Sequence, residues 1–177
     1  MNQTVKKIWN LVTTVLIAVI AGAVLLLFSF RLFGLKGFTV LSGSMEPTYH
    51  TGSVIYVKSA DADALEVGQP ITYYLSGKTV ATHRIIEVVE EDGAVRYRTK
   101  GDANDVADGS LVDPEDIIGT PIFSIPYLGF ALSYIQSPPG MYVAIAAGAG
   151  VMLIIFLPSL LFENGNDKKS KSKEEQQ

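Results

Sequence analysis

The 177 residues carry 14 Lys and Arg against 18 Asp and Glu, a net charge of −4, and no cysteine. That length predicts one domain with appendages, and the missing cysteines exclude disulfides, thiolate metal sites and a cysteine nucleophile. Between Gly34 and Gly140 there are seven basic and fourteen acidic side chains, −7 in all, so no basic patch speaks for a nucleic-acid partner.

Residues 1–7 are short and polar, with Lys6 and Lys7 together. Ile8 to Phe30 then runs 23 residues without a charge. As a helix this stretch spans about 34 Å at ~1.5 Å per residue, enough for a hydrocarbon core of ~30 Å. A cleavable secretory signal competes with that reading, but its apolar region is usually about 7–15 residues and ends in small residues. Here the bulky Arg31-Leu32-Phe33 follows. The expectation is a retained transmembrane helix over residues 8–33.

Residues 34–140 read as β. Phe38 to Leu41, Ser53 to Lys58, Ile71 to Leu75, Thr79 to Val89, Val95 to Thr99 and Ile117 to Ile125 are rich in Val, Ile, Tyr and Thr. Turn signals separate them at Thr51-Gly52, Val67-Gly68-Gln69-Pro70, Ser76-Gly77-Lys78 and Glu91-Asp92-Gly93. Thr79 to Val89 with Val95 to Thr99 predicts a long hairpin. Asp113-Pro114 has the shape of a helix start, with Asp as N-cap and Pro at the first helical position.

Met141 to Phe162 is a second run of 22 residues without a charge. Gly148, Gly150 and Pro158 interrupt it, which membrane helices tolerate. A second transmembrane helix is expected over 141–162, and the charged segment 163–177 is compositionally disordered. Lys168, Lys169, Lys171 and Lys173 flank this run as Lys6 and Lys7 flank the first. The positive-inside rule then puts both termini in the cytoplasm and 34–140 outside.

Chemistry points first to Val40-Leu41-Ser42-Gly43-Ser44-Met45-Glu46-Pro47-Thr48, where two serines flank a glycine and Pro47 stops any helix or central strand. Ser44 on such a turn is sterically open. The G-x-S-x-G pattern needs glycine at Ser42 and Glu46, and S-x-x-K needs lysine at Pro47, so neither applies. The chain has only two histidines. His50 sits in a loop and by default is a surface residue. His83 lies mid-strand, a position more often structural than catalytic. Lys100-Gly101-Asp102-Ala103-Asn104-Asp105-Val106-Ala107-Asp108-Gly109 reads as a polar turn, as a calcium loop or as the source of a catalytic carboxylate. The calcium reading fails because Val106 takes the third ligand position. What remains is a Ser-His-Asp set in an unfamiliar chain order.

Ser42-Gly43-Ser44-Met45-Glu46-Pro47-Thr48 resembles the nucleophile box of type I signal peptidases. Lys100-Gly101-Asp102-Ala103-Asn104 with Asp108 resembles the family's aspartate box, and Ile125-Pro126-Tyr127-Leu128-Gly129 its late strand. The resemblance covers roughly residues 40–130. Most bacterial members use a lysine base, whereas the matching position here, in Ala81-Thr82-His83-Arg84, is histidine, as in the endoplasmic-reticulum and archaeal subtype. Lys78 is nearby but outside that position and is not assigned as base.

The substitution is physically consistent. A lysine with a reference pKa near ~10.4 needs heavy desolvation to accept a proton at neutral pH, and a histidine starting near ~6.5 does not. It needs instead a fixed tautomer, which a carboxylate on the second ring nitrogen provides.

The resemblance implies a mainly β, signal-peptidase-like domain held by N-terminal and C-terminal transmembrane helices. It implies a membrane-bound serine endopeptidase acting on signal-peptide-bearing secretory precursors at the outer bilayer surface, with neither cofactor nor metal. Ser44 is then the nucleophile and His83 the base. Both Asp102 and Asp108 match family positions; Asp108 is favoured as the triad acid, and Asp102 as a loop organiser accepting backbone N–H bonds. The Ser42 hydroxyl matches the family's oxyanion donor. A dedicated peptidase for a few biofilm, pilus or spore-coat precursors, and a non-catalytic membrane-anchored β module, stay open as alternatives.

Overall fold

The computed structural model describes residues 3–77, 79–91 and 93–174. Lys78 and Asp92, each in a predicted turn, and the terminal residues 1–2 and 175–177 lie outside the described residues. The chain divides into a helical unit, Met1–Leu26 with Tyr134–Gln177, and a β unit, Leu27–Ser133.

Helix α1 is Gln3–Leu32, α2 is Leu128–Gln136 and α3 is Pro138–Glu174. Gln3–Leu32 and Pro138–Phe156 are long and apolar enough to cross a membrane, and each has only 6% of its most apolar stretch buried. Many of their apolar side chains are exposed, which is consistent with association with a membrane. Helix α3 continues over 163–174, where composition alone predicts disorder. Once an apolar segment has nucleated a helix, adding Lys, Glu and Ser costs little per residue.

The β unit is one antiparallel sheet of six strands: β1 Lys36–Thr39, β2 Val54–Lys58, β3 Pro70–Ser76, β4 Thr79–Glu91, β5 Ala94–Lys100 and β6 Ile117–Ile125. Their order is β1-β2-β6-β3-β4-β5. Each predicted strand is present, with ends shifted by a residue or two except β6, which matches. The predicted hairpin is β4–β5, paired from Arg84↔Lys100 out to Glu91↔Ala94. Val, Ile and Tyr supply one buried face: Tyr97, Ile71 and Ile85 are fully buried, with Tyr73, Leu65 and Val112 beside them. A second cluster gathers Ile55, Val57 and Ile118, with Phe38, Val40, Tyr49 and Val80 against it. Asp113-Pro114 opens only a short 3-10 turn, Pro114–Asp116, and the Asp113 side chain makes no capping bond. The turn ends because Ile117 is drawn straight into β6.

Two features of this sheet position the site. Thr79 to His83 of β4 pair with Ser76 to Ile71 of β3, but pairing with β5 starts only at Arg84. One edge of residues 79–83 is therefore left without a strand among the described residues. Among the described residues strand β1 pairs with β2 alone, so no strand covers its outer edge there either.

Candidate active site

Residues 40–53 leave β1 and return to β2 in a loop that is bonded throughout. Val40 N–H donates to Ser53 O at 2.9 Å and Gly52 N–H to Val40 O at 2.8 Å. Thr51 N–H donates to Glu46 Oε1 at 3.0 Å, and His50 Nδ1 lies against Glu46 Oε2. His50 is thus a surface residue paired with Glu46, its side chain 64% exposed. Met45 is buried at 2% exposure, an apolar plug that fixes the turn on which Ser44 sits. The Glu46–Pro47 peptide is cis.

The loop after β5 pins Ser44 from the other side. Ala103 N–H donates to Ser44 O at 2.9 Å. A Cβ on Gly101 would lie 2.6 Å from that same oxygen, so only glycine permits the approach. The chain then folds back along β5: Asp108 N–H donates to Thr99 O at 2.8 Å, and Tyr97 and Val112 form an antiparallel bridge. That return brings Asp108 beside Thr99 and below His83.

Ser44 Oγ lies 3.1 Å from His83 Nε2, and His83 Nδ1 lies 2.6 Å from Asp108 Oδ2. With Nδ1–H donating to the carboxylate, the Nε2 lone pair faces the serine hydroxyl. The His83 and Asp108 side chains are mostly buried, at 15% and 21% exposure, so their contact is little diluted by water. Ser42 Oγ is 3.4 Å from Ser44 Oγ. These three residue types at these separations can carry acyl transfer through a serine.

Asp102, the other carboxylate of the predicted set, is not bonded to the histidine. Arg84 holds it with a two-pronged grip, Nε to Oδ1 at 2.8 Å and Nη2 to Oδ2 at 2.6 Å. Thr48 Oγ1 donates to Oδ2 at 2.5 Å. The expected backbone N–H donors are replaced by a guanidinium and a hydroxyl. The register explains why: Arg84 stands opposite Lys100, the last residue of β5, and Asp102 follows two positions on. Arg84 also donates to Gly68 O at 2.7 Å, tying three loops together. Arg84, Thr48, Thr99 and Tyr73 were not singled out from sequence. Only the charge on Arg84, within an apolar strand, hinted at a partner.

The Arg84 guanidinium beside Asp102 holds its carboxyl below the ordinary carboxylate range, more than burial raises it. A carboxyl lowered in the fold contributes stability above its unfolded value, and that contribution is lost as the pH falls through the folded value. Asp102→Asn is therefore expected to melt about 5 °C below wild type at neutral pH. The gap narrows in acid, as thermal unfolding followed by circular dichroism across pH will read.

A cleft of about 410 Å³ opens over the serine. Its walls are Thr39 to Ser42, at the end of β1 and the start of the loop after it, on one side and Thr79 to His83, the uncovered stretch of β4, on the other. The uncovered edge of residues 79–83 offers backbone groups to an extended chain laid along the cleft.

No protein-family model matches the chain. Among curated proteins it is 34% identical over 135 residues to signal peptidase I W of Bacillus subtilis (strain 168), covering 72% of this chain and 68% of that protein. It is 30% identical over 125 residues to the signal peptidase complex catalytic subunit SEC11C of Homo sapiens, 66% of this chain and 65% of that one. The putative catalytic subunit SEC11B of Homo sapiens is 29% identical over 109 residues, 56% of this chain and 66% of that one. The class defined by these relatives and this sheet is a peptidase of mainly antiparallel β structure. The chain belongs to the type I signal peptidase family, and its relatives support the removal of signal peptides as its activity.

Proposed function

We propose that the protein is a membrane-anchored serine endopeptidase that removes signal peptides through Ser44, His83 and Asp108. The observation that carries the reading is the unbroken contact chain from Ser44 Oγ through both nitrogens of His83 to Asp108 Oδ2, opening on a cleft beside the uncovered stretch of β4.

The precursor lies extended in that cleft, hydrogen-bonding to the uncovered edge of residues 79–83, with small side chains at the first and third positions before the cut. His83 Nε2 takes the Ser44 proton as Oγ attacks the scissile carbonyl carbon. The carbonyl electron pair moves to oxygen, and Ser42 Oγ–H with the Ser44 backbone N–H receives that charge. The imidazolium gives its proton to the departing amine as the C–N bond breaks, leaving an ester on Ser44. Water then attacks the ester, His83 takes the water's proton and returns it to Ser44 Oγ, and the carboxylate leaves.

Helices α1 and α3 anchor the domain, with both termini cytoplasmic and residues 34–140 outside. The support is the lysines beyond the outer ends of the two apolar runs. A catalytic serine thirteen residues beyond Arg31 is tethered within about 45 Å of the anchor's end, where a signal segment leaves the bilayer.

Two outcomes are expected. Co-expression of a secreted precursor with wild type shortens it, and co-expression with His83→Ala leaves it at full length; shortening by both sinks the assignment. Ser42→Ala lowers kcat by about 10²–10³, as loss of one oxyanion donor does, with KM little changed. Steady-state kinetics on the purified full-length chain reads this directly.

A further inference from the structure

Two hydroxyls that the mechanism does not use converge on the same oxygen of Asp108. Thr99 Oγ1 donates to Oδ2 at 2.6 Å, and Tyr73 OH donates to Oδ2 at 3.3 Å while lying 3.2 Å from Thr99 Oγ1. Thr99 is fully buried and Tyr73 is 3% exposed. Resting on the triad reading above, we infer that Thr99 and Tyr73 are positioning residues, a buried pair of hydroxyls that locks Asp108 Oδ2 onto His83.

Volume does not explain Thr99. Valine has the same shape and no hydroxyl to satisfy, so it would fill a fully buried sheet position at least as well. The hydroxyl is instead spent on the carboxylate, and on the oxygen that faces the imidazole. Burial pushes the Tyr73 phenol up to about 12, so it remains a protonated donor at any working pH.

Two consequences follow for the reaction. The carboxylate cannot rotate to exchange its oxygens without giving up both hydroxyl donors, so the imidazole keeps one tautomer and one orientation. Each donor also takes up part of the charge on Oδ2. The oxygen that faces His83 Nδ1 is thereby held in place for the imidazolium that forms when Ser44 gives up its proton. Arg84 on β4 and Asp102 on the loop after β5 are bonded to each other and are left unaltered by the test.

The test is kcat and KM against pH for the purified full-length chain acting on a secretory precursor. It compares wild type, Thr99→Val, Thr99→Ser and Tyr73→Phe. Thr99→Val is expected to lower kcat by about tenfold or more, with KM within about twofold, as for loss of a bond to a charged group. Its acid-side loss of activity moves to higher pH, because Oδ2 has lost a donor and faces Nδ1 with more of its charge. Thr99→Ser restores both kcat and the acid limb. Tyr73→Phe, lacking the longer bond, moves the limb the same way by less, and it carries the test if Thr99→Val does not fold. A Thr99→Val profile that superimposes on wild type overturns the inference. So does a Thr99→Ser variant as slow as Thr99→Val with an unmoved acid limb, which is the behaviour of a packing residue. Ser44→Ala run in parallel separates the levels. Processing by Ser44→Ala removes the triad reading itself, whereas an enzyme that needs Ser44 but ignores Thr99 loses only the positioning role.

Discussion

Ser44→Ala is expected to reduce turnover of a secretory precursor by about 10⁶, the largest effect of any single substitution in this chain. The alcohol supplies the bond that splits one hard step into two, and no neighbouring side chain stands in for it. Ser42 has a hydroxyl 3.4 Å from that of Ser44. His83, however, makes its contacts with Ser44 and Asp108, so a nucleophile moved to Ser42 lacks its base. The substitution removes one half-buried oxygen and leaves the loop's supports in place: Met45 stays buried, and Ala103 N–H still meets the backbone oxygen at position 44. Melting temperature and precursor binding are thus expected to match wild type while turnover disappears. Single-turnover kinetics with a denaturation control reads both.

Asp108→Asn is expected to cost about 10⁴ in kcat, through the histidine rather than by any contact with substrate. An asparagine presents either an amide NH₂ or a carbonyl toward His83 Nδ1. Thr99 and Tyr73 both need an acceptor at the Oδ2 position, so turning the NH₂ there leaves two buried hydroxyls opposed by a donor. Turning the carbonyl there meets all three donors but loses the charge that stabilises the imidazolium. Either way the transition state suffers, and KM moves little. Asp102→Asn makes the contrast. Its partners are Arg84 and Thr48, so it is expected to lower the melting temperature while leaving kcat far closer to wild type. Kinetics of the two variants side by side distinguishes the carboxylate proposed to orient His83 from the one that holds the loop.

The strands were legible because their signals are local. Val, Ile and Tyr repeat along each segment, and Gly52, Gly68, Gly77 and Gly93, which mark the turns between them, all adopt positive φ. The order of the strands was not legible. β6 inserts between β2 and β3, a pairing between residues 69 positions apart in sequence for Ile55 and Ser124, and nothing in the local pattern of either strand encodes it. Ser44, His83 and Asp108, which lie within hydrogen-bond reach in sequence order serine to histidine to aspartate, were among the candidates because the chain has two histidines and its serine and aspartate stretches resemble those of the family, a resemblance that left Asp102 and Asp108 both open. Their supports were not among them. Arg84 finds Asp102 only because β5 ends opposite it, and Thr99 finds Asp108 only because the loop returns to bridge Tyr97 and Val112. Thr99 and Tyr73 look, in sequence, like ordinary strand residues, and their part emerges only from the shared oxygen. Asp102 is the instructive case. A Gly-Asp turn reads as a site for backbone donors, but a guanidinium brought in by strand register displaces them.

The most direct measurement of the central claim is the new N-terminus produced when the purified full-length chain, in lipid vesicles, meets a secretory precursor. The account predicts one new N-terminus, immediately after the signal segment, from wild type and none from Ser44→Ala. Release of the same N-terminus at a comparable rate by Ser44→Ala would contradict it.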